Sequence, residues 1–144
     1  MILIDTNVIS ELWRAEPNPD VLAWIDAQTV ETLYLSAITV AELRFELATM
    51  PKGKRRTIYQ ERLEKDVLPI FTDCVLPFDL DDSQAYAELM ARTRTGGKAI
   101  GKADGYIAAT AIVYGLMVAT RDIGLFEAAG LNIINPWKVR SVDV

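Results

Sequence analysis

Residues 102–122 read KADGYIAATAIVYG–LMVATRD, and this stretch decides the fold. Its first part has helical spacing and ends in Gly115, a good helix stop. Its second part, LMVAT (116–120), is a short apolar run of strand character that delivers Thr120 and then Asp122. A helix, a glycine, a buried strand and an acid thus follow one another directly. The same order recurs along the chain. MILI (1–4) runs into Asp5, with Thr6 and Asn7 beside it and the helix-like VISEL behind; LYLS (33–36) precedes TVAELRFELATM (39–50). VLPF (75–78) and LNIIN (131–135) are the other strand candidates. Further helical patterns are PNPDVLAWIDAQ, capped by Asp20, RRTIYQERLEKDVLPIF, DDSQAYAELMART, and RDIGLFEAAG ending in Gly130. Strands alternating with helices imply an α/β fold: a parallel sheet with helices on both faces. In such sheets ligands bind beyond the carboxyl ends of the strands.

Composition narrows the chemistry. With 144 residues, about half of them hydrophobic, a single globular domain over 1–144 is expected. No apolar stretch is long enough to span a bilayer, and no basic segment with a long apolar run opens the chain, so no membrane association and a cytoplasmic location are expected. The one cysteine, Cys74, cannot form an internal disulfide. There is no histidine, which removes Ser-His-Asp and Cys-His catalysis and the usual zinc site. Chemistry here must run on carboxylates, hydroxyls, lysine or arginine. A bound metal should be a hard cation held by oxygen: Mg²⁺, Mn²⁺ or Ca²⁺.

Four acids fall at strand-to-helix junctions or helix starts: Asp5, Glu42, Asp104 and Asp122. Each has an ordinary structural explanation. Asp5 or Thr6 could be an N-cap, Thr39 and Glu42 fit a capping box, Asp104 could complement a helix dipole, and Asp122 could cap the next helix. Capping, however, needs one oxygen per helix and accepts Ser, Thr or Asn as well. Four like charges on one rim repel, and a divalent cation at their centre removes that penalty. Such a cation, paired with phosphate oxygens, serves phosphodiester hydrolysis.

The pieces LIDTNVISEL (3–12), LSAITVAEL (35–43), KADGYIAATA (102–111) and ATRDIGLFEAAGLNIINPW (119–137) resemble the PIN-domain ribonucleases, specifically the VapC- and FitB-like toxins of bacterial toxin–antitoxin pairs. The resemblance implies a three-layer α/β/α sandwich with a five-stranded parallel sheet in the order 3-2-1-4-5. It implies a metal-dependent endoribonuclease whose acidic site falls on Asp5, Glu42, Asp104 and Asp122. Asp5 and Asp104 would be the main ligands of Mg²⁺ or Mn²⁺, and Thr6, Asn7 and Thr120 the supporting polar shell. It implies an RNA substrate, a homodimer, and an inhibiting antitoxin with a DNA-binding N-terminal part. Helices 39–50 and 55–71 offer Phe45, Ile58, Tyr59 and Leu63 as apolar surface for the second copy. The tail KVRSVDV and residues 51–56 are where departure from the family pattern is expected.

Net charge is −5, but setting the four site acids aside leaves sixteen acidic against fifteen basic residues. Two basic clusters stand out. Lys52, Lys54, Arg55 and Arg56 are read as solvated surface. Arg92, Arg94, Lys98 and Lys102 lead into Asp104, and Arg94, Lys98 and Lys102 are the candidates for phosphate contacts, with solvated surface as the alternative. Trp13 and Trp24 are expected to pack helices, Cys74 to be inert packing, and Gly96-Gly97 to be a break and not a phosphate loop. A dehalogenase-type phosphoryl transferase would need D-x-D where this chain has D-T-N. A receiver domain would need a lysine where LNIIN is followed by Pro136. A non-catalytic acidic module holding a basic partner is the alternative from another class.

Overall fold

The computed structural model describes residues 1–138; from residue 139 on, the tail expected to depart from the family pattern lies outside the described residues. Five strands form one parallel sheet in the order β3-β2-β1-β4-β5. They are β1 (Ile2–Ile4), β2 (Leu33–Ser36), β3 (Val75–Leu76), β4 (Met117–Ala119) and β5 (Ile133–Ile134). Around them lie α1 (Thr6–Glu11), α2 (Pro19–Asp26), α3 (Ala37–Ala48), α4 (Lys54–Glu61), α5 (Leu80–Thr95), α6 (Lys102–Tyr114) and α7 (Ile123–Ala128). The expected strand order and the three layers are those observed.

The middle strand explains the layering. Side chains alternate across a strand, so Ile2 and Ile4 enter one core and Leu3 the other. The first core takes Val8 and Trp13 near α1, Val21 and Trp24 from α2, and Leu43 and Leu47 from α3. The second takes Leu89 from α5, Ile107, Ala108 and Ala111 from α6, and Phe126 from α7. Both expected tryptophans are therefore packing residues, 6 % and 7 % exposed.

Helix starts differ from the sequence reading at two places. α2 is capped by Asn18, whose side chain accepts from the Asp20 amide at 2.8 Å, not by Asp20. Pro19 at the first helical position accounts for this, since its fixed φ starts the helix and its missing N–H needs no partner. α3 is capped by Ser36, whose hydroxyl accepts from the Ile38 amide at 3.0 Å. The helix thus begins before Thr39, and the Thr39–Glu42 capping box does not form. Glu42 sits in the second turn, not the first, with no capping role to explain it.

The helix read over 55–71 also departs from regularity. α4 widens into a π-helical segment (Arg62–Val67) and then tightens into a 3₁₀ turn (Leu68–Phe71). Pro69 is the cause: it lacks an N–H and its ring clashes with the carbonyl four residues back. Leu63, in the widened segment, is 1 % exposed. Leu63 is a core residue, not part of an external apolar surface, and Tyr59 is half-buried. Phe45 and Ile58 do remain on the surface, at 71 % and 48 % exposure.

α5 and α6 pack closest at Gly105, beside Asp104. A Cβ there would stand 2.7 Å from the Met90 sulfur and 3.1 Å from the Tyr86 ring. Gly105→Val is expected to lower the urea midpoint by an amount worth about 1–3 kcal/mol, as overpacked sites do; an unchanged midpoint would show that Met90 alone absorbs the change.

Candidate functional site

Strands β1, β2 and β4 end side by side, and their carboxyl ends carry the site. The chain reverses its winding direction between β1 and β4, which opens a crevice there. Asp5 leaves β1 into that crevice; its backbone amide still pairs with the Ala119 carbonyl at 2.9 Å. Its side chain is 3 % exposed. One carboxylate oxygen, Oδ1, accepts from the Thr6 amide at 2.8 Å and so caps α1. The other, Oδ2, accepts from the Thr120 hydroxyl at 2.8 Å and the Asn7 amide nitrogen at 3.3 Å. Capping thus explains one oxygen of Asp5 and leaves the other to be explained by the site.

Glu42 and Asp122 are held from the same three residues. The Thr6 hydroxyl donates to Glu42 Oε1 at 2.6 Å, across from α3. Asn7 Nδ2 also donates to Asp122 Oδ2 at 3.2 Å, and the Asp122 amide donates to Thr120 Oγ1 at 3.0 Å. Asp122 begins α7 without any side-chain capping bond. Asp104 stands in the first turn of α6, whose cap is Gly101, and accepts no hydrogen bond among the described residues. The polar shell Thr6, Asn7 and Thr120 therefore ties Asp5, Glu42 and Asp122 into one network, with Asp104 facing it unpaired.

Burial, and behind it the charge of the neighbouring acids, shapes the electrostatics of the site. Burial pushes Asp5 up to about 6, against the lowering pull of its Thr120 and Thr6 hydrogen bonds; Asp104 and Asp122 add to the rise. Asp104 is raised too, by burial first and then by the charges of Glu42 and Asp122. A cluster of this kind favours a bound cation. The donor set, carboxylates and hydroxyls with no histidine or cysteine, suits a hard divalent metal. Among the described residues, no three acidic side chains converge tightly enough to enclose an ion by themselves.

All four acids line one cleft of about 560 Å³. Its walls carry residues the sequence reading did not place there: Glu11, Arg14, Arg55, Tyr59, Arg121 and Trp137. Glu11 is 4 % exposed and pins the α1–α2 connection, accepting from Arg14 at 3.3 Å and from the Asn18 amide at 3.2 Å. Of the two basic clusters, the one read as solvated surface supplies Arg55 to the cleft. Arg94, Lys98 and Lys102 are exposed and do not line it. Arg92 is tied to the Ala129 carbonyl at 3.1 Å. The reason is orientation: α4 turns Arg55 and Tyr59, one helical turn apart, into the cleft, whereas Arg94 is exposed in the last turn of α5 and Lys98 lies exposed just beyond it.

The PIN-domain family pattern matches residues 2–131. A VapC ribonuclease of Sinorhizobium fredii is 72 % identical over 138 residues, covering 96 % of this chain and 99 % of that relative. The toxin FitB of Neisseria gonorrhoeae is 52 % identical over 137 residues, with 95 % and 99 % coverage. A solved structure of FitAB bound to a DNA fragment superposes with a TM-score of 0.93 at 48 % identity, covering 97 % of this chain and 98 % of that one.

Proposed function

The chain belongs to the PIN-domain family, and from that premise we propose that it is a metal-dependent endoribonuclease, the toxin half of a toxin–antitoxin pair. The observation that carries the reading is the convergence of Asp5, Glu42, Asp104 and Asp122 on one cleft, where a shared Thr6–Asn7–Thr120 network ties Asp5, Glu42 and Asp122 together. Asp5 and Asp104 would hold Mg²⁺ or Mn²⁺, which when bound activates water and offsets the charge developing at phosphorus.

The chain's own residues have separable tasks. Thr120 and Asn7 fix the Asp5 carboxylate in one orientation from the side away from its cap. Thr6 aims Glu42 through Oε1, and Oε2 of that residue, with no partner among the described residues, can receive a hydrogen bond from substrate or water. Asn7 spaces Asp122 from Asp5, so that two like charges share one donor and not one contact. Burial of Asp5 lowers the local dielectric and strengthens each of these interactions.

The regulatory part of the reading rests on the likeness to the FitAB assembly. An antitoxin with a DNA-binding N-terminal part would block the cleft, and an arginine is suited to do so because a guanidinium bridges two carboxylates. A homodimer belongs to the same reading; Phe45 and Ile58 are exposed apolar residues open to a second copy. Light scattering would then give about twice 16.0 kDa, and the monomer mass would count against it.

The experiment is a cleavage assay on a panel of single-stranded and structured RNAs, with Mg²⁺ or Mn²⁺, with EDTA, and with Mn²⁺ restored after EDTA. Internal cuts that vanish in EDTA and return with Mn²⁺ are expected. Full activity in EDTA would overturn the metal dependence, and no cut in any RNA would favour the non-catalytic acidic module.

A further inference from the structure

The cleft poses an electrostatic problem. Its floor is four carboxylates, yet a nucleic-acid strand must enter it carrying phosphates. The cations nearest in sequence to Asp104 do not line it. Those that do are Arg14, Arg55 and Arg121, and Arg14 is engaged by Glu11.

The other two arginines share an unusual setting. Arg121 stacks over the Trp137 ring, 5.0 Å from its centroid, and Arg55 over the Tyr59 ring at 5.4 Å. Arg62 lies over Tyr59 as well, at 5.8 Å. Every cation–π contact among the described residues therefore falls on an aromatic ring of this one cleft. Such contacts arise about once per 70–80 residues, so their number is unexceptional and their concentration is not.

Both stacks are positioned by the elements that build the acidic site. Arg121 lies between Thr120 and Asp122, and its amide donates to Asn7 Oδ1 at 3.4 Å. Trp137 follows β5, the neighbour of β4, and its amide donates to Asn135 Oδ1 at 3.0 Å. Arg55 and Tyr59 sit one turn apart on α4, which packs on α3, the helix that carries Glu42. One stack thus belongs to the β4–β5 side of Asp5, the other to the β2–α3 side. Beyond Arg121 and Trp137 the surface dips again into a second hollow of about 700 Å³, which shares Glu11, Arg14, Arg121 and Trp137 with the first. A strand leaving the acids on that side has a continuous path.

We propose that the two arginine–aromatic stacks are the substrate platforms of the cleft. Single-stranded RNA crosses the acids with the nucleotides flanking the scissile phosphate seated on Arg121–Trp137 and on Arg55–Tyr59. The proposal rests on the ribonuclease reading above. A guanidinium held over a ring can offer its plane to a base and its edge N–H groups to a phosphate. Stacking of this kind tolerates any base and requires it unpaired, so it selects single strands over duplex. It also supplies the positive charge that the acidic floor lacks.

The test uses an RNA oligonucleotide that the wild-type chain cuts, with Mn²⁺ present. Trp137→Leu and Tyr59→Leu are each expected to raise KM about five- to tenfold, with kcat within about twofold, since base–aromatic stacking is lost in ground and transition state alike. Arg121→Gln and Arg55→Gln, both at exposed positions where folding is not at risk, should raise KM and flatten its dependence on salt. Trp137→Phe should restore most of the affinity, and Lys65→Gln, exposed and away from the cleft, should change nothing. Unchanged KM in the arginine and aromatic variants, with wild type active, overturns the platforms and leaves the enzyme reading standing. Unchanged KM with weakened inhibition by the antitoxin assigns the stacks to the protein partner and overturns the proposal equally. A wild type that cuts no RNA overturns both.

Discussion

Asp104→Asn is expected to cut the rate of RNA cleavage by at least about a thousandfold, comparable to or beyond the loss of a charge-stabilising group in other hydrolases. The side chain is half-buried, faces Glu42 and Asp122, and accepts no hydrogen bond among the described residues. Asparagine keeps its shape and removes the charge. Because the role assigned to Asp104 is to hold the cation and not to bind RNA, kcat should fall with KM little changed. The metal-free variant should unfold at the same temperature as wild type or higher, since one of four repelling charges is gone. A clear loss of thermal stability with activity retained would instead make Asp104 a helix-start residue acting on the α6 dipole.

Asp5→Asn should give the second largest effect, and on stability as well as activity. Asp5 titrates near 6 in the folded chain, raised from an ordinary 3.8, chiefly because it is buried. Between those values the folded state holds a proton that the unfolded state has released. The contribution of Asp5 to the stability of the metal-free protein is therefore fully present below about pH 4, is lost as pH rises through about 6, and is level above. A shift of this size corresponds to about 3 kcal/mol at most. Asparagine has no charge to bury, but it forfeits part of the Thr120 and Asn7 hydrogen bonding, so a net gain of about 1–2 kcal/mol at pH 8 is expected. Urea unfolding of metal-free wild type and variant at pH 4, 6 and 8 checks this. Curves that stay parallel across the range would show that Asp5 does not titrate there. Saturating Mn²⁺ should reverse the order, stabilising wild type and leaving the variant unmoved.

The strands were legible because a parallel strand buried on both faces reads as an unbroken apolar run. ILI, LYLS and LMVAT each place alternate residues in two cores. Asp5, Asp104 and Asp122 were legible because each follows such a run or opens a helix; Glu42, read at a helix start, lies in the second turn of α3. Helix starts were less so, because Ser36 and Thr39 are both competent caps three residues apart; only the end of β2 decides that Ser36 takes the role. The same ambiguity separated Asn18 from Asp20, where Pro19 was the available signal. The basic residues were the hardest to place. A run such as KGKRR says that charge is present, not which side chain a helix turns inward, and the one-turn spacing of Arg55 and Tyr59 gains meaning only once α4 is seen against α3. Arg121 could have been noticed: it stands between Thr120 and Asp122, two of the residues already singled out.

The most direct test of the central claim, that the four acids act as a single cation site, is a calorimetric titration of the purified chain with Mn²⁺ near pH 7. The account predicts saturable binding, lost in Asp5→Asn and in Asp104→Asn alike and much weakened in Asp122→Asn. Equal Mn²⁺ binding by wild type and by both Asp5→Asn and Asp104→Asn, each still folded, would contradict it.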